Sequence, residues 1–313
     1  MRGNFEITVR GKPLCVPLIS VGGVAVIVQG RLLTHARIFD EYWLERDRLP
    51  ARQSMIDELR SMDGSPDLFS FTQRVPDVVA SYPYVHDHDN FAVLSLTTFE
   101  HWFQAQIAAA TRRNIRASEK RGVSVKVCDY DDTYVAGISS IYNESPLRAG
   151  RSFWHYGKPI EVVRRENGTY AARSTFLAAY VKGEMVGYLK IVWDRRTAAI
   201  MQILSKTAAR DSRPNNALMA EAVRQACARG IEHLIYERFD YGNKIGDSLT
   251  RFKEANGFVR MDIPRYCVPL TAKGRFALSL GLHRNFKDRL PEPIASRLRE
   301  LRLKLQELRA AHA

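Results

Sequence analysis

AAIMQILSKTAARDSRPNNALMAEAVRQACARGIEHLIYERFDYGNKIGDSLTRFKEANGFVRMDIPRY, residues 198–266, is the stretch whose reading decides the fold. It begins with a strand pattern over Ala198–Ser205, followed by a polar, basic loop, Lys206 to Asn216. A helix is predicted over Asn215–Arg229, then a strand over Ile231–Phe239, a short helix over Asp247–Asn256 and a strand over Phe258–Val268. Pro214 suits a first helical turn, and Asp211 and Ser212 are candidate caps. Backbone N–H groups at such a helix start point outward and favour an anion. Lys206, Arg210 and Arg213 add positive charge there, and Asn215 and Asn216 add hydrogen-bonding groups. These five are the candidate residues for holding a phosphate-bearing cofactor.

Working outward, the hairpin Ser174–Val181 and Glu184–Trp193, turned at Lys182-Gly183, precedes this stretch. Upstream of it lie a predicted helix over Phe99–Arg121, a strand over Val123–Val127, a helix over Asp132–Asn143 and an aromatic, polar loop from Gly150 to Lys158. In the Phe99–Arg121 segment Arg112, Arg116 and Lys120 recur every fourth residue and form a basic stripe. Residues 1–96 read as a smaller α/β unit. Strands are predicted at Phe5–Arg10, Leu14–Val21, Val24–Gln29 and Phe91–Leu96, with an alternating segment at Asp67–Gln73 and a helix over Ala51–Met62. Arg74–Asn90 reads as a loop. Its His86-Asp-His-Asp89 cluster offers metal-ligating groups without constrained geometry, and no metal is expected.

The chain has 313 residues and a formal net charge of +13, which points to an anionic partner such as nucleic acid, a phosphorylated cofactor or an acidic membrane surface. Its four cysteines are scattered, which argues against a disulfide framework or a zinc site and fits a reducing cytoplasm. The apolar run Leu14–Val28 is broken by Pro17 and Gly22-Gly23, and no run is long enough to span a bilayer. Residues 271–313 carry ten lysines and arginines against four acidic residues. There Ile294, Leu298, Leu301, Leu305 and Leu308 step by four and three, as a helix packed on its own domain or on a partner would.

In the order of its elements from Val123 onward, the chain resembles the GNAT superfamily of acyltransferases. Thr111-Arg-Arg-Asn-Ile-Arg-Ala-Ser-Glu-Lys-Arg-Gly-Val123 is similar to the basic helix that opens the second GNAT-like domain of Fem-type aminoacyl transferases. Phe252-Lys253, shortly before Asn256-Gly257-Phe258, resembles the closing FK…GFG segment of that group. The resemblance implies a mixed α/β sheet. Residues 97–270 would form the acyltransferase domain, residues 1–96 a degenerate first GNAT-like half and residues 271–313 a basic helical tail. It also implies an acyl group taken from acyl-CoA (acetyl-CoA) or aminoacyl-tRNA and passed to a small-molecule or peptidic amine. The usual Arg/Gln-x-x-Gly-x-Gly/Ala donor loop is replaced here by Arg210-Asp-Ser-Arg-Pro-Asn-Asn216, which has no glycine to let a pyrophosphate approach. Fem-type proteins, which draw on aminoacyl-tRNA, share that departure, and the Arg112, Arg116 and Lys120 stripe would suit tRNA phosphates.

Acyl transfer requires deprotonation of the acceptor, stabilisation of an oxyanion and protonation of the leaving group. The resemblance makes Lys253 the candidate for the oxyanion; the residue reads equally as a surface lysine of a short helix. Glu237, among apolar strand neighbours, is the candidate general base, or else a solvent-facing partner of Arg238 or Arg251. Tyr241, at that strand's end, is the candidate proton donor or a stacked structural tyrosine. Tyr142, Glu144, Arg148, Arg151, Trp154, His155, Tyr156 and Lys158 come from the region where GNAT folds bind the acceptor. A non-catalytic module of the same fold and a basic RNA-binding protein are the competing readings.

Overall fold

The computed structural model describes residues 2–9, 12–148, 150–241 and 248–282. The chain opens with an antiparallel meander, β1 (Arg2–Val9), β2 (Lys12–Val21) and β3 (Val24–Gln29). Gly22 and Gly23, at φ 57° and 80°, make the β2–β3 turn that only glycine enters without cost. A strand not anticipated from the sequence, β4 (His35–Ile38), pairs with β3 and runs parallel to β5 (Leu68–Thr72), with α1 (Arg52–Ser61) crossing between them. The α1 residues Met55, Ile56 and Leu59 recur at helical spacing, and all three are buried against Phe69 and Phe71.

β6 (Val85–Ser95) is an eleven-residue strand where Arg74–Asn90 was expected to be loop and only Phe91–Leu96 strand. Its first half is polar and partly exposed, so hydrophobic alternation could not disclose it. Pairing supplies the order: residues 85–93 lie antiparallel to residues 259–267 of the last strand.

The expected single helix over Phe99–Arg121 is broken. α2 (Phe99–His101) passes into a π-helical turn at Trp102–Gln106, Ile107 is extended, and α3 (Ala109–Lys120) starts afresh. Distant contacts impose the break. The Trp102 indole donates to the Asn256 carbonyl at 3.0 Å, and the Ala108 amide donates to Ala255. The Arg112 guanidinium takes the carbonyls of Phe103, Gln104 and Ile107 that the broken helix leaves open. Arg112 is therefore committed to the fold, and Arg116 lies over the Phe103 ring.

The second part follows: β7 (Ser124–Cys128), α4 (Asp132–Tyr142), the two-stranded ribbon β8 (Leu147–Arg148) and β9 (Arg151–Ser152), and α5 (Ile160–Asn167), which was not anticipated. Then come β10 (Ser174–Val181), β11 (Glu184–Asp194), β12 (Thr197–Ser205), α6 (Pro214–Ala228), β13 (His233–Arg238), α7 (Ser248–Ala255), β14 (Val259–Pro269) and α8 (Ala272–Ser279). The predicted elements of residues 198–266 are all present within a few residues. The cap of α6 differs: Arg213, not Asp211 or Ser212, precedes Pro214, in a left-handed conformation and with no side-chain cap bond. The heptad seam at 294–308 and the residues Gly11, Gly242, Asn243 and Lys244 lie outside the described residues.

One mixed sheet of twelve strands runs β1-β2-β3-β4-β5-β14-β6-β13-β12-β11-β10-β7. β14 is threaded between β5 and β6, and β6 pairs in turn with β13, so the final strand and the ninetieth residues stitch the two parts into one ladder. Three main cores line the sheet. α1 covers the first, with Tyr266 and Val268 completing it. α6, Trp102 and Ile115 cover the second. Tyr134, Ile138, Ile141 and Tyr142 of α4 cover the third, on Phe176 and Tyr188. Each fully buried large apolar side chain of this kind contributes about 1.5–3 kcal/mol. That is ample to hold α4 and α6 to the sheet, and so to fix the strand ends between them.

Candidate active site

β12 and β13 run parallel but pair only at Thr197–Ala199 with His233–Ile235. Beyond Ala199, β12 remains bonded to β11, with a register shift at Lys190/Ile191 that leaves Met201 as the extra residue of a bulge. β13 remains beside β6, with its own irregularity between Ile235 and Arg238. Bulges increase local twist, and two of them on diverging partners leave the strands splayed toward their C-terminal ends. Glu237 sits in the second irregularity at φ 47°, a left-handed conformation that is uncommon for a residue other than glycine, and its side chain is exposed.

Glu237 and Tyr241 line a cavity of about 280 Å³ together with Tyr42, Arg74, Arg173 and Arg238. The Tyr241 hydroxyl donates to the Glu237 carboxylate. Burial, followed by the Glu237 charge and that hydrogen bond, raises the Tyr241 pKa well above its ordinary value, so the phenol holds its proton at neutral pH. Lys253 is fully buried. Its ammonium donates to the Arg238 carbonyl and lies 4.7 and 4.9 Å from the ring centres of Tyr236 and Tyr241. The three residues singled out for chemistry are thus brought together at the end of β13, with Lys253 behind the Tyr241 ring rather than on the surface of its helix.

Asp89, from the cluster read as potential metal ligands, is buried at this place. It accepts from Tyr42 at 2.7 Å and from Arg238 at 3.0 Å, and forms an ion pair with Arg265 at 3.4 Å. Arg37, Arg165, Arg238 and Arg265 line a second cavity, of about 760 Å³. Glu41 also lines it, and burial raises its pKa to about 7 against the pull of Arg52 and the Thr72 amide. Sequence reading missed Tyr42, Arg74 and Glu41, which come from residues 37–75. No motif marks them, and only the parallel β4–β5 pair brings them beside β13.

The residues from α4 to Lys158 form a separate group. His155 is buried, 4.2 Å from the Tyr142 ring centre and 3.7 Å from that of Trp154. Burial, then Lys158 and Arg148, lowers its pKa to about 3, so the ring is neutral, and its Nδ1 has no hydrogen-bond partner among the described residues. Lys158 lies 3.7 Å over Trp154 and pairs with Glu166 at 2.6 Å. The Tyr142 hydroxyl meets Tyr188 at 2.8 Å and accepts from Gln202 of β12 at 3.1 Å. Trp154 and Tyr156 are exposed, and Arg151 lies in β9. These residues do not line the cavity that holds Glu237 and Tyr241.

The loop after β12 carries the cofactor candidates. Lys206 pairs with Glu184 at 2.5 Å and Arg210 is exposed. Arg213 adopts φ 61°, a left-handed conformation that favours glycine. The Arg213 Nε and Asn215 Oδ1 atoms are buried without hydrogen-bond partners among the described residues. The Asn216 amide returns to the Arg213 carbonyl. Glu144 connects the two groups: its carboxylate accepts from the Thr207 and Ala208 amides at 2.6 and 2.8 Å and pairs with Arg148 at 3.5 Å.

The sheet is mixed, with two parallel strands splayed at their ends, a helix following the first of them and a polar pair at the end of the second. Residues 108–253 match the acetyltransferase (GNAT) domain family. The whole architecture is similar to the crystal structure of FemX, with a TM-score of 0.55 at 9% identity over 84% of this chain and 87% of that one. It is also similar to the C-terminal domain of a putative lysylphosphatidylglycerol synthetase from Agrobacterium fabrum, with a TM-score of 0.52 at 13% identity over 84% and 86% of the two chains. A conserved protein of unknown function from Bacteroides thetaiotaomicron gives a TM-score of 0.51 at 9% identity over 82% and 86%. At these identities the likeness is one of fold. No curated protein matches the sequence.

Proposed function

We propose that the chain is an N-acyltransferase that moves an acetyl or aminoacyl group from a phosphate-bearing activated donor, acyl-CoA or aminoacyl-tRNA, to a small-molecule or peptidic amine. The observation that supports this best is the splay beyond Ala199 and Ile235, with Glu237, Tyr241 and Lys253 gathered at its β13 side. The donor's acyl arm enters the splay with its phosphates toward residues 206–216, where Lys206, Arg210, Arg213, Asn215 and Asn216 bear on them. The acceptor approaches along the cavity lined by Glu237, and the Tyr142–Lys158 group, which lies outside that cavity, forms a second contact surface for it.

In this reading Glu237 takes the proton of the attacking amine, the new N–C bond forms, and the carbonyl oxygen becomes an oxyanion. The buried positive charge of Lys253 stabilises that oxyanion through the short space occupied by the Tyr241 ring. Collapse breaks the acyl C–S or C–O bond. Tyr241 protonates the leaving atom and is reprotonated from Glu237 along their shared hydrogen bond, so no proton is left over. The same reading divides the chain at residues 96 and 270 into a first GNAT-like half, the acyltransferase domain and the basic tail.

A product assay of the wild-type chain with acyl-CoA thioesters and with charged tRNA tests the proposal. Transfer to an amine from either donor supports it and identifies the donor; no product from any of them rejects it. A non-catalytic binding module is the second reading, favoured by the occupied amide pair at Thr207 and Ala208.

A further inference from the structure

The loop after β12 already holds an anion, and that anion belongs to the chain. Four of the loop's amides are turned inward: Lys206 donates to Val186, Arg210 to Thr207, Ser212 to Ala209 and Arg213 to Arg210. Thr207 and Ala208 are consecutive and donate outward, one to each Glu144 oxygen. This is the geometry in which two backbone N–H groups receive a phosphate. Glu144 is delivered firmly. It follows α4, whose neighbouring Asn143 accepts from the Gly157 amide at 2.9 Å, and Arg148 holds it from the other side. Its side chain is only 16% exposed. Burial would raise its pKa, but the Ala208 and Thr207 amides and Arg148 outweigh that and keep it below the usual carboxylate range, so it is ionised at neutral pH.

We propose that Glu144 is a donor-specificity residue: its carboxylate fills the Thr207–Ala208 amide pair and discriminates against donors that place a diphosphate there, coenzyme A among them. Two effects act together. The amides a diphosphate needs are satisfied, and a second anion at the same spot meets like-charge repulsion from the Glu144 carboxylate at hydrogen-bond range, well inside a Debye length. The inference rests on the acyl-transfer reading for the placement of a donor at this loop. It goes beyond the missing glycines, because it assigns the exclusion to one side chain from a different element.

The test is titration of the full chain, as wild type, Glu144→Ala and Glu144→Gln, with coenzyme A and with inorganic pyrophosphate, following the Thr207 and Ala208 amide resonances. Charged hydrogen-bond competition of this kind predicts about tenfold tighter binding by Glu144→Ala, with saturable shifts of both amides. Glu144→Gln keeps the volume and one acceptor oxygen without the charge, and falls between. Equal or weaker binding by both variants, or tighter binding without movement of those two amides, overturns the proposal. Should Glu144→Ala not fold, the Glu144→Gln comparison decides by the same criteria. Failure of the acyl-transfer reading registers separately, as absence of product from the wild-type chain, and leaves the competition at Thr207 and Ala208 measurable.

Discussion

The Tyr241 hydroxyl donates to the carboxylate of Glu237, four residues earlier, across the bulge that ends β13. Two side chains that share one proton and face one cavity act as a unit. Glu237→Gln is therefore expected to lower kcat by about a hundredfold or more, the range of a lost general base. Tyr241→Phe should do the same, and the double variant should cost little beyond either single one. Steady-state kinetics of the three proteins checks this. Two single variants that turn over like wild type would remove both residues from the chemistry.

Lys253 makes a different prediction because it is fully buried and serves both the Arg238 carbonyl and the two tyrosine rings. Lys253→Met keeps the volume and removes the charge. The orphaned carbonyl costs about 1–3 kcal/mol of stability, visible as a lower urea midpoint. If the ammonium also steadies the oxyanion, kcat falls about a hundredfold in preparations that remain folded. A lowered midpoint with unchanged kcat would make Lys253 a purely structural residue.

Two buried groups tilt stability against pH in opposite senses. His155 titrates at about 3 in the folded chain against 6.5 unfolded. As pH falls from 6.5 toward 3 the unfolded chain gains a proton the folded chain does not, so stability drops with acid. Glu41 titrates at about 7 against 4.5. As pH rises from 4.5 toward 7 the unfolded chain loses its proton first, so stability drops with base. Urea melts between pH 4 and 8 should show the acid-side loss reduced in His155→Phe and the other loss reduced in Glu41→Gln. If neither variant changes its slope, both assignments fail.

The closing helix α8 is held by an approach that leaves no room for a methyl group. A Cβ on Gly274 would lie 1.9 Å from the backbone oxygen of Asp67, the residue that also accepts from Thr271 at 2.9 Å. Backbone cannot yield as a flexible side chain would, so Gly274→Ala is expected to cost about 1–3 kcal/mol. Chemical denaturation checks it. A neutral result would mean α8 docks differently from the described geometry.

Residues 198–266 were legible because their signals are local. The apolar run of Ala198–Ser205, Pro214 at a helix start and the apolar spacing of α6 each reflect a backbone preference that short segments carry themselves. Lys253, Glu237 and Tyr241 could be singled out from the resemblance and from their place at a strand's end, and the fold does gather them. The Phe99–Arg121 break was invisible in the sequence, because Asn256, Ala255 and Arg112 impose it across the fold on a segment whose own periodicity is helical.

By itself, the sequence determined the element order of residues 198–266, the GNAT likeness and the positive balance of the chain, all properties of composition and short-range spacing. Tertiary structure alone decided that β14 enters between β5 and β6, that residues 42–46 and 73–75 wall the cavity beside Glu237, and that Glu144 reaches the Thr207 and Ala208 amides. Each of these joins residues separated by dozens of positions or more. Strand pairing and the demand that buried amides and charges find partners select such contacts only once the chain has closed on itself.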